Sequence, residues 1–178
     1  MSKSNDYVDN EKFFSSMCEW KEQVIENEKT GESPPPITEY IGGCFWKIAE
    51  HLSFKSNFAN YHFKDDMIGD AVENCVMYAH NFDPEKSKNP FSYFTQITYY
   101  AFIRRIEREK KQNFVKFKMV ELLDTDGQIR KWLGNVYYDG NKNEEGQLAE
   151  YFSLSEKDIE KFTPKKKKGK LSENSNSE

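Results

Sequence analysis

Between Tyr100 and Lys118 the sequence sets seven cations (Arg104, Arg105, Arg108, Lys110, Lys111, Lys116, Lys118) against two anions, a net +5. Just before and into this stretch runs a series of rings: Phe91, Tyr93, Phe94, Tyr99, Tyr100 and Phe102. Together the two groups suit the binding of unpaired nucleic acid. Each unstacked base can lie on an aromatic ring, worth roughly 1–3 kcal/mol, while cations hold the phosphates. The competing reading is a central helix that is apolar all round because it is buried all round. On a helical wheel Phe91, Tyr99, Phe102 and Ile106 share one side, Tyr93, Ile97, Tyr100 and Arg104 another, and Phe94 and Ala101 lie between. A single core needs only one of these faces.

A second chemically loaded set is acidic. Asp66, Asp70 and Glu73 fall on one side of a helix predicted over residues 64–80, opposite Ile68, Ala71, Val72, Cys75, Val76 and Ala79. Such a face is either simply solvated or an acidic docking surface for a basic partner helix. With Asp65 the same carboxylates invite comparison with a metal-dependent nuclease, but no second converging set accompanies them. His51, His62 and His80 are isolated, and Cys18, Cys44 and Cys75 lie far apart without CxxC spacing. The thiols read as reduced core residues. There is no Gly-rich phosphate loop and no Ser/His/Asp order. The sequence therefore predicts no catalytic residue, no metal site and no cofactor, and a protein that is not an enzyme.

The overall charge conceals this arrangement. Across 178 residues, 26 Lys+Arg and 30 Asp+Glu leave a net −4, which alone argues against a nucleic-acid partner. The last sixteen residues carry five Lys and two Glu, so the rest of the chain outside the two basic segments sums to −12. An acidic body with two basic segments is the better description. The aromatic share is 15% at a mean hydropathy of −0.91, which implies a small core of Phe, Tyr and Trp under a very polar exterior. No apolar run is long enough to span a bilayer, and the first residues lack the basic-then-apolar layout of a signal peptide. A cytosolic protein without a membrane partner is expected.

The elements that must position these groups are helical. Phe13, Met17, Trp20 and Val24 form one stripe, which the Pro34–Pro36 run ends. Ile41, Cys44, Phe45, Ile48 and Leu52 form another. Asn89-Pro90 is a start signal, an N-cap residue before a proline at the first helical position, and the reading continues as helix to about Gln112. Past Leu123, Asp124–Gly127 and Asp139–Asn143 are loop chemistry, and a helix is plausible over residues 145–162 with a break near Ser153–Ser155. The expected fold class is all-α: a compact helical bundle with an irregular C-terminal extension and, from Thr163, a disordered Lys-rich tail. The expected organisation is an N-terminal helix and Pro-rich linker (1–37), a helical domain (38–120), a partly helical extension (121–162) and the tail (163–178).

Two motifs carry a family resemblance. The stretch from Asp66 to Asp83, with its Asp-Met-Ile opening, acidic fifth residue and closing Asn-Phe-Asp, resembles region 2 of bacterial sigma factors, and Phe91-Ser-Tyr-Phe-Thr95 matches the start of that family's promoter-melting helix. Asn89–Gln96, Ala101–Ile106 and Ala79-His-Asn-Phe-Asp83 are similar to the late-transcription sigma factors of large myovirus-type tailed phages. The likeness covers residues 12 to about 112.

The resemblance implies a region-2-like bundle and a sigma factor that binds host core RNA polymerase and directs recognition and melting of AT-rich −10-type phage late promoters. Asp66, Gly69, Asp70 and Val76 would dock on the coiled coil of the largest polymerase subunit. Phe94 takes a melting-aromatic position, the family's paired tryptophans fall on Ile97 and Thr98, and Tyr99, Tyr100 and Phe102 are nearby candidates for the wedge. Arg104, Arg105 and Arg108, with Lys110 and Lys111, would track backbone phosphates. No second DNA-binding domain follows, so a −10-type element alone is expected as the promoter. The known phage members end in a hydrophobic motif for the sliding clamp. Here the tail has one Leu, so clamp coupling would pass through Tyr151-Phe152-Ser-Leu154 or through a late co-activator. The place of action would be the host bacterial cytoplasm. The alternative reading is a polymerase-binding co-activator or inhibitor that never contacts DNA.

Overall fold

The computed structural model describes residues 7–124, 126–129, 131 and 144–164, with the backbone alone for 144–147. All regular structure among them is helical, so the protein is all-α. The helices are α1 (Asn10–Thr30), α2 (Glu39–Ser53), α3 (Lys64–Tyr78), α4 (Pro90–Leu123), α5 (Glu144–Tyr151) and α6 (Glu156–Phe162), with a 3-10 turn at Ala79–Asn81. No helix among the described residues is long and apolar enough to cross a membrane. The described residues through Glu107 form one compact unit and those from Arg108 a second. The Lys165–Lys168 run and the remainder of the tail lie outside the described residues, as do residues 139–143, for which a loop is expected.

In the first unit the chain signals each boundary locally. Asp9 caps α1, its carboxylate accepting from the Glu11 and Lys12 amides at 3.1 Å, and Gly31 closes it in the left-handed region at φ 77°. Thr38 caps α2 through the Ile41 amide at 3.3 Å. Trp20 donates its indole N–H to the Pro35 carbonyl at 3.2 Å, which fixes the proline run against α1. The Asn89 side chain accepts from the Ser92 amide at 3.0 Å at the head of α4, and Asn10 accepts from the Phe91 amide at 3.3 Å. The stripes of α1 and α2 face inward together. Phe13, Met17, Trp20, Val24, Ile41, Phe45 and Ile48 join Cys75, Phe82 and Phe94 in one core. Residues 10–30 are thus part of the same unit as the helices after Pro36. A second cluster holds Ala49, Phe58, Met67, Ile68, Ala71, Ala101, Phe102 and Ile106.

Helix α4 continues to Leu123, past the end near Gln112 that the sequence suggests. The reason lies in the second unit, where Phe114 and Phe117 are buried with Leu148, Ala149 and Leu154. Those burials reward eleven further residues of helix. The expected break between α5 and α6 is present. Ser153 there adopts φ 55°, and Ser155 caps α6 in a reciprocal box with Asp158. Asp158 also receives Lys110 Nζ at 2.9 Å.

Burial pushes the Asp158 carboxyl up, but hydrogen bonds from Ser155 and Lys110 outweigh it and hold the carboxyl below its ordinary value. A group depressed in the fold stabilises it above the unfolded pKa, near 3.9, and that contribution is lost as the pH falls through the lower folded value. The amide protection factors over residues 156–162, each referred to the intrinsic exchange rate at the same pH, should therefore fall below about pH 4. Asp158→Asn, which keeps a capping oxygen but no charge, should flatten that dependence.

Candidate nucleic-acid interface and docking face

The two charged sets are built on adjacent helices. From Asp66 to Cys75, α3 meets α4 residues in the order Arg105, Arg104, Thr98, so the two run antiparallel. Cys75 approaches the Thr98 hydroxyl at 3.6 Å inside the core, and that hydroxyl donates back to the Phe94 carbonyl at 2.8 Å. Burial pushes the Cys75 thiol up to about 11, which the Thr98 hydrogen bond only partly offsets. At neutral pH it is a protonated, unreactive packing residue.

The acidic set and the basic set share a clamp. Arg105 places Nη2 at 2.7 Å from Asp66 and Nη1 at 3.2 Å from Asp70, with its side chain only 15% exposed. Arg104 donates to the Asn74 side-chain oxygen at 2.7 Å. Planar guanidinium held between two carboxylates is a geometry that lysine would not reproduce. Arg105 thus acts inside the unit as an α3–α4 tie. This corrects its reading as a cation turned toward DNA. Asp70 is correspondingly the inner member of the acidic face.

The outer members form a stripe. Asp66, Gly69, Glu73 and Val76 recur at i, i+3, i+7 and i+10 and are all exposed. A Cβ at Gly69 would meet nothing within 4 Å, so no contact within the chain repays the roughly 0.5–1 kcal/mol that a helical glycine costs. The same holds of Gly42 and Gly43 on α2. Asp66 and Asp70 are engaged by Arg105, and no three His, Cys, Asp or Glu side chains among the described residues converge as a metal site.

The aromatic candidates divide. Phe94 is fully buried with ring centroids 4.4 Å from Phe45, 5.7 Å from Phe13 and 6.0 Å from Phe82. Thr98 and Phe102 are also fully buried, and Ile97 packs half-buried against the first core. Extracting such a phenylalanine costs about 3–5 kcal/mol, more than the roughly 1–3 kcal/mol a stacked base returns. Phe94, Thr98 and Phe102 are therefore core residues, which corrects their assignment to melting. Tyr99 and Tyr100 stand 40% and 53% exposed with ring centroids 5.7 Å apart. These are the rings a base could reach, and Arg104 follows Tyr100 by one helical turn. The buried line 94, 98, 101, 102, 106 is one face of α4, so the helix is neither buried all round nor open on two sides.

The remaining cations, Arg108, Lys110 and Lys111, belong to the second unit. Lys110 is held by Asp158 and is not a free phosphate ligand. Arg108 and Lys111 are exposed. In the Tyr151–Leu154 segment, Leu154 is buried and Phe152 packs beside it in the second unit's core. Two of its three apolar side chains are thereby occupied, which corrects its reading as a clamp-binding motif. Sequence reasoning missed the Arg105 clamp and the burial of Thr98. The first had a signal in carboxylates at i and i+4 facing a basic helix, and the second in the register that starts at Phe94. No protein-family model matches the chain, and no curated protein matches it.

Proposed function

We propose that this chain is a sigma factor of the region-2 type that binds bacterial core RNA polymerase and directs recognition and melting of AT-rich −10-type phage late promoters. The observation that carries the reading is one helix pair with two outward chemistries. On α4, Tyr99 and Tyr100 stand exposed before Arg104; on α3, Asp66, Gly69, Glu73 and Val76 form an exposed stripe with two carboxylates, of which Asp66 is shared with Arg105. The acidic stripe suits the basic side of a partner coiled coil such as that of the largest polymerase subunit, and complementary charge favours that encounter. The rings suit flipped bases of a melted strand, with Arg104 on a phosphate. The host cytoplasm is the place of action, and with Leu154 and Phe152 taken up in the second unit's core, coupling to the sliding clamp would pass through a late co-activator.

Reconstitution tests this. Core polymerase with the protein should start transcripts from a supercoiled template bearing an AT-rich −10-like element, and core alone should not; absence of initiation would sink the reading. Glu73→Lys reverses the stripe without touching the Arg105 clamp, and should weaken polymerase binding about tenfold or more.

One observation favours the second reading, a polymerase-binding co-activator or inhibitor without a DNA contact. Arg105 and Lys110 are committed to carboxylates, and Phe94 and Phe102 to the core, so the surface left for DNA is smaller than the sequence suggests. Polymerase binding without promoter opening would select it.

A further inference from the structure

Among the described residues of the second unit, one apolar surface stands exposed. Val115, Met119, Leu122 and Leu123 recur at i, i+4, i+7 and i+8 on α4 and are 58%, 60%, 77% and 70% exposed. Beside them Met119, Val120 and Leu123 line a groove of about 420 Å³ with Ile129, Phe152 and Tyr151. Lys116 is the one charged residue in its wall among the described residues.

The lysines around this surface are not equivalent. Lys110 is bound to Asp158 and Lys118 to Glu121. Lys111 and Lys116 are exposed and carry no ion pair among the described residues. The surface is apolar with one lysine lacking an ion pair on each side. The stripe from Val115 to Leu123 covers eight helical steps, about 12 Å of axis, which is two turns of a helix. A second copy of the same stripe would bring Lys111 and Lys116 toward their own like charges.

We propose that this groove receives an amphipathic helix of a protein partner, with apolar residues at helical spacing and carboxylates along its edge. Its apolar stripe lies on Met119, Leu122 and Leu123 and in the groove beside them, the mode by which helices dock in grooves. Its carboxylates, one row on each side of its apolar stripe, meet Lys111 and Lys116, which stand about 140° apart around α4 on opposite sides of the exposed apolar residues. The proposal uses only the second unit and depends on neither DNA nor polymerase.

The full chain can be titrated, by fluorescence anisotropy, into a labelled synthetic amphipathic peptide with Leu at i, i+3, i+4 and i+7 and Glu on both flanks. A counterpart with Lys for every Glu serves as the second probe. The acidic peptide should bind about tenfold or more tightly than the basic one. Leu123→Lys should abolish binding, and Lys116→Glu should reverse the preference between peptides. Leu123 is exposed, so the fold should survive, which circular dichroism verifies; if it does not, the Lys116→Glu reversal alone decides. Equal affinity for both peptides, or no binding of either, overturns the proposal. Concentration-dependent self-association of the chain that Leu123→Lys removes would also overturn it, in favour of a second copy as occupant.

Discussion

Alanine at both Tyr99 and Tyr100 should cut open-complex formation at a −10-type promoter by roughly 30-fold or more while polymerase binding persists, because two stacking rings at about 1–3 kcal/mol each are removed. Permanganate reactivity of unpaired thymines measures the melting, and co-sedimentation with core polymerase measures the binding. The separation is expected because neither ring lies on α3, where the docking stripe is. Tyr100 gives the cleaner single substitution. It is 53% exposed, whereas Tyr99 also packs edge-on against Phe58, a member of the second core, at 5.7 Å. Tyr100→Phe should keep melting near its starting level, since a base stacks on the ring and not on the hydroxyl. Unchanged permanganate reactivity in the double variant would remove α4 from promoter opening and leave the co-activator reading.

Much of the first unit was legible before any coordinates. Phe13, Met17, Trp20 and Val24 are buried along one line of α1, and Ile41, Cys44, Phe45 and Ile48 along one line of α2. Each of those helices has a single apolar stripe, so periodicity alone decides which side faces in. Helix α4 offers apolar residues on several sides, and there periodicity supplies relative phase but no choice. The choice is made by neighbours. Ala49 on α2 and Ala71 on α3 share one buried cluster with Ala101 and Phe102, and Cys75 shares the other with Phe94, so this line of α4 faces in and Tyr99 and Tyr100 stay outside. The clamp of Arg105 on Asp66 and Asp70 was illegible for a related reason. Two oppositely charged helix faces read separately as two binding surfaces, and only their apposition shows that part of each serves the other. The length of α4 beyond Gln112 depends on Phe114 and Phe117 finding Leu148 and Leu154, residues 31 to 40 positions away that no local window includes.

The correction at Phe94 carries a second expected result, distinct in kind from the loss at Tyr99 and Tyr100. Phe94→Ala removes a ring enclosed by Phe13, Phe45 and Phe82, and should lower the stability of the first unit by about 3–5 kcal/mol. Domains of this size have only roughly 5–15 kcal/mol in total, so a large part of the folding free energy is lost. Denaturant melting followed by circular dichroism should show the midpoint falling. Polymerase binding and promoter melting should then decline together, in proportion to the folded fraction, and cooling should restore both in part. Phe94→Leu, which refills much of the cavity, should lie between the variant and the parent. A ring that captured a base would behave otherwise. Phe94→Ala would leave the midpoint and polymerase binding unchanged and abolish melting alone, and that pattern would place Phe94 outside the core in the state that opens DNA. The energies favour the first outcome, because the burial of this ring outweighs what one base can offer it.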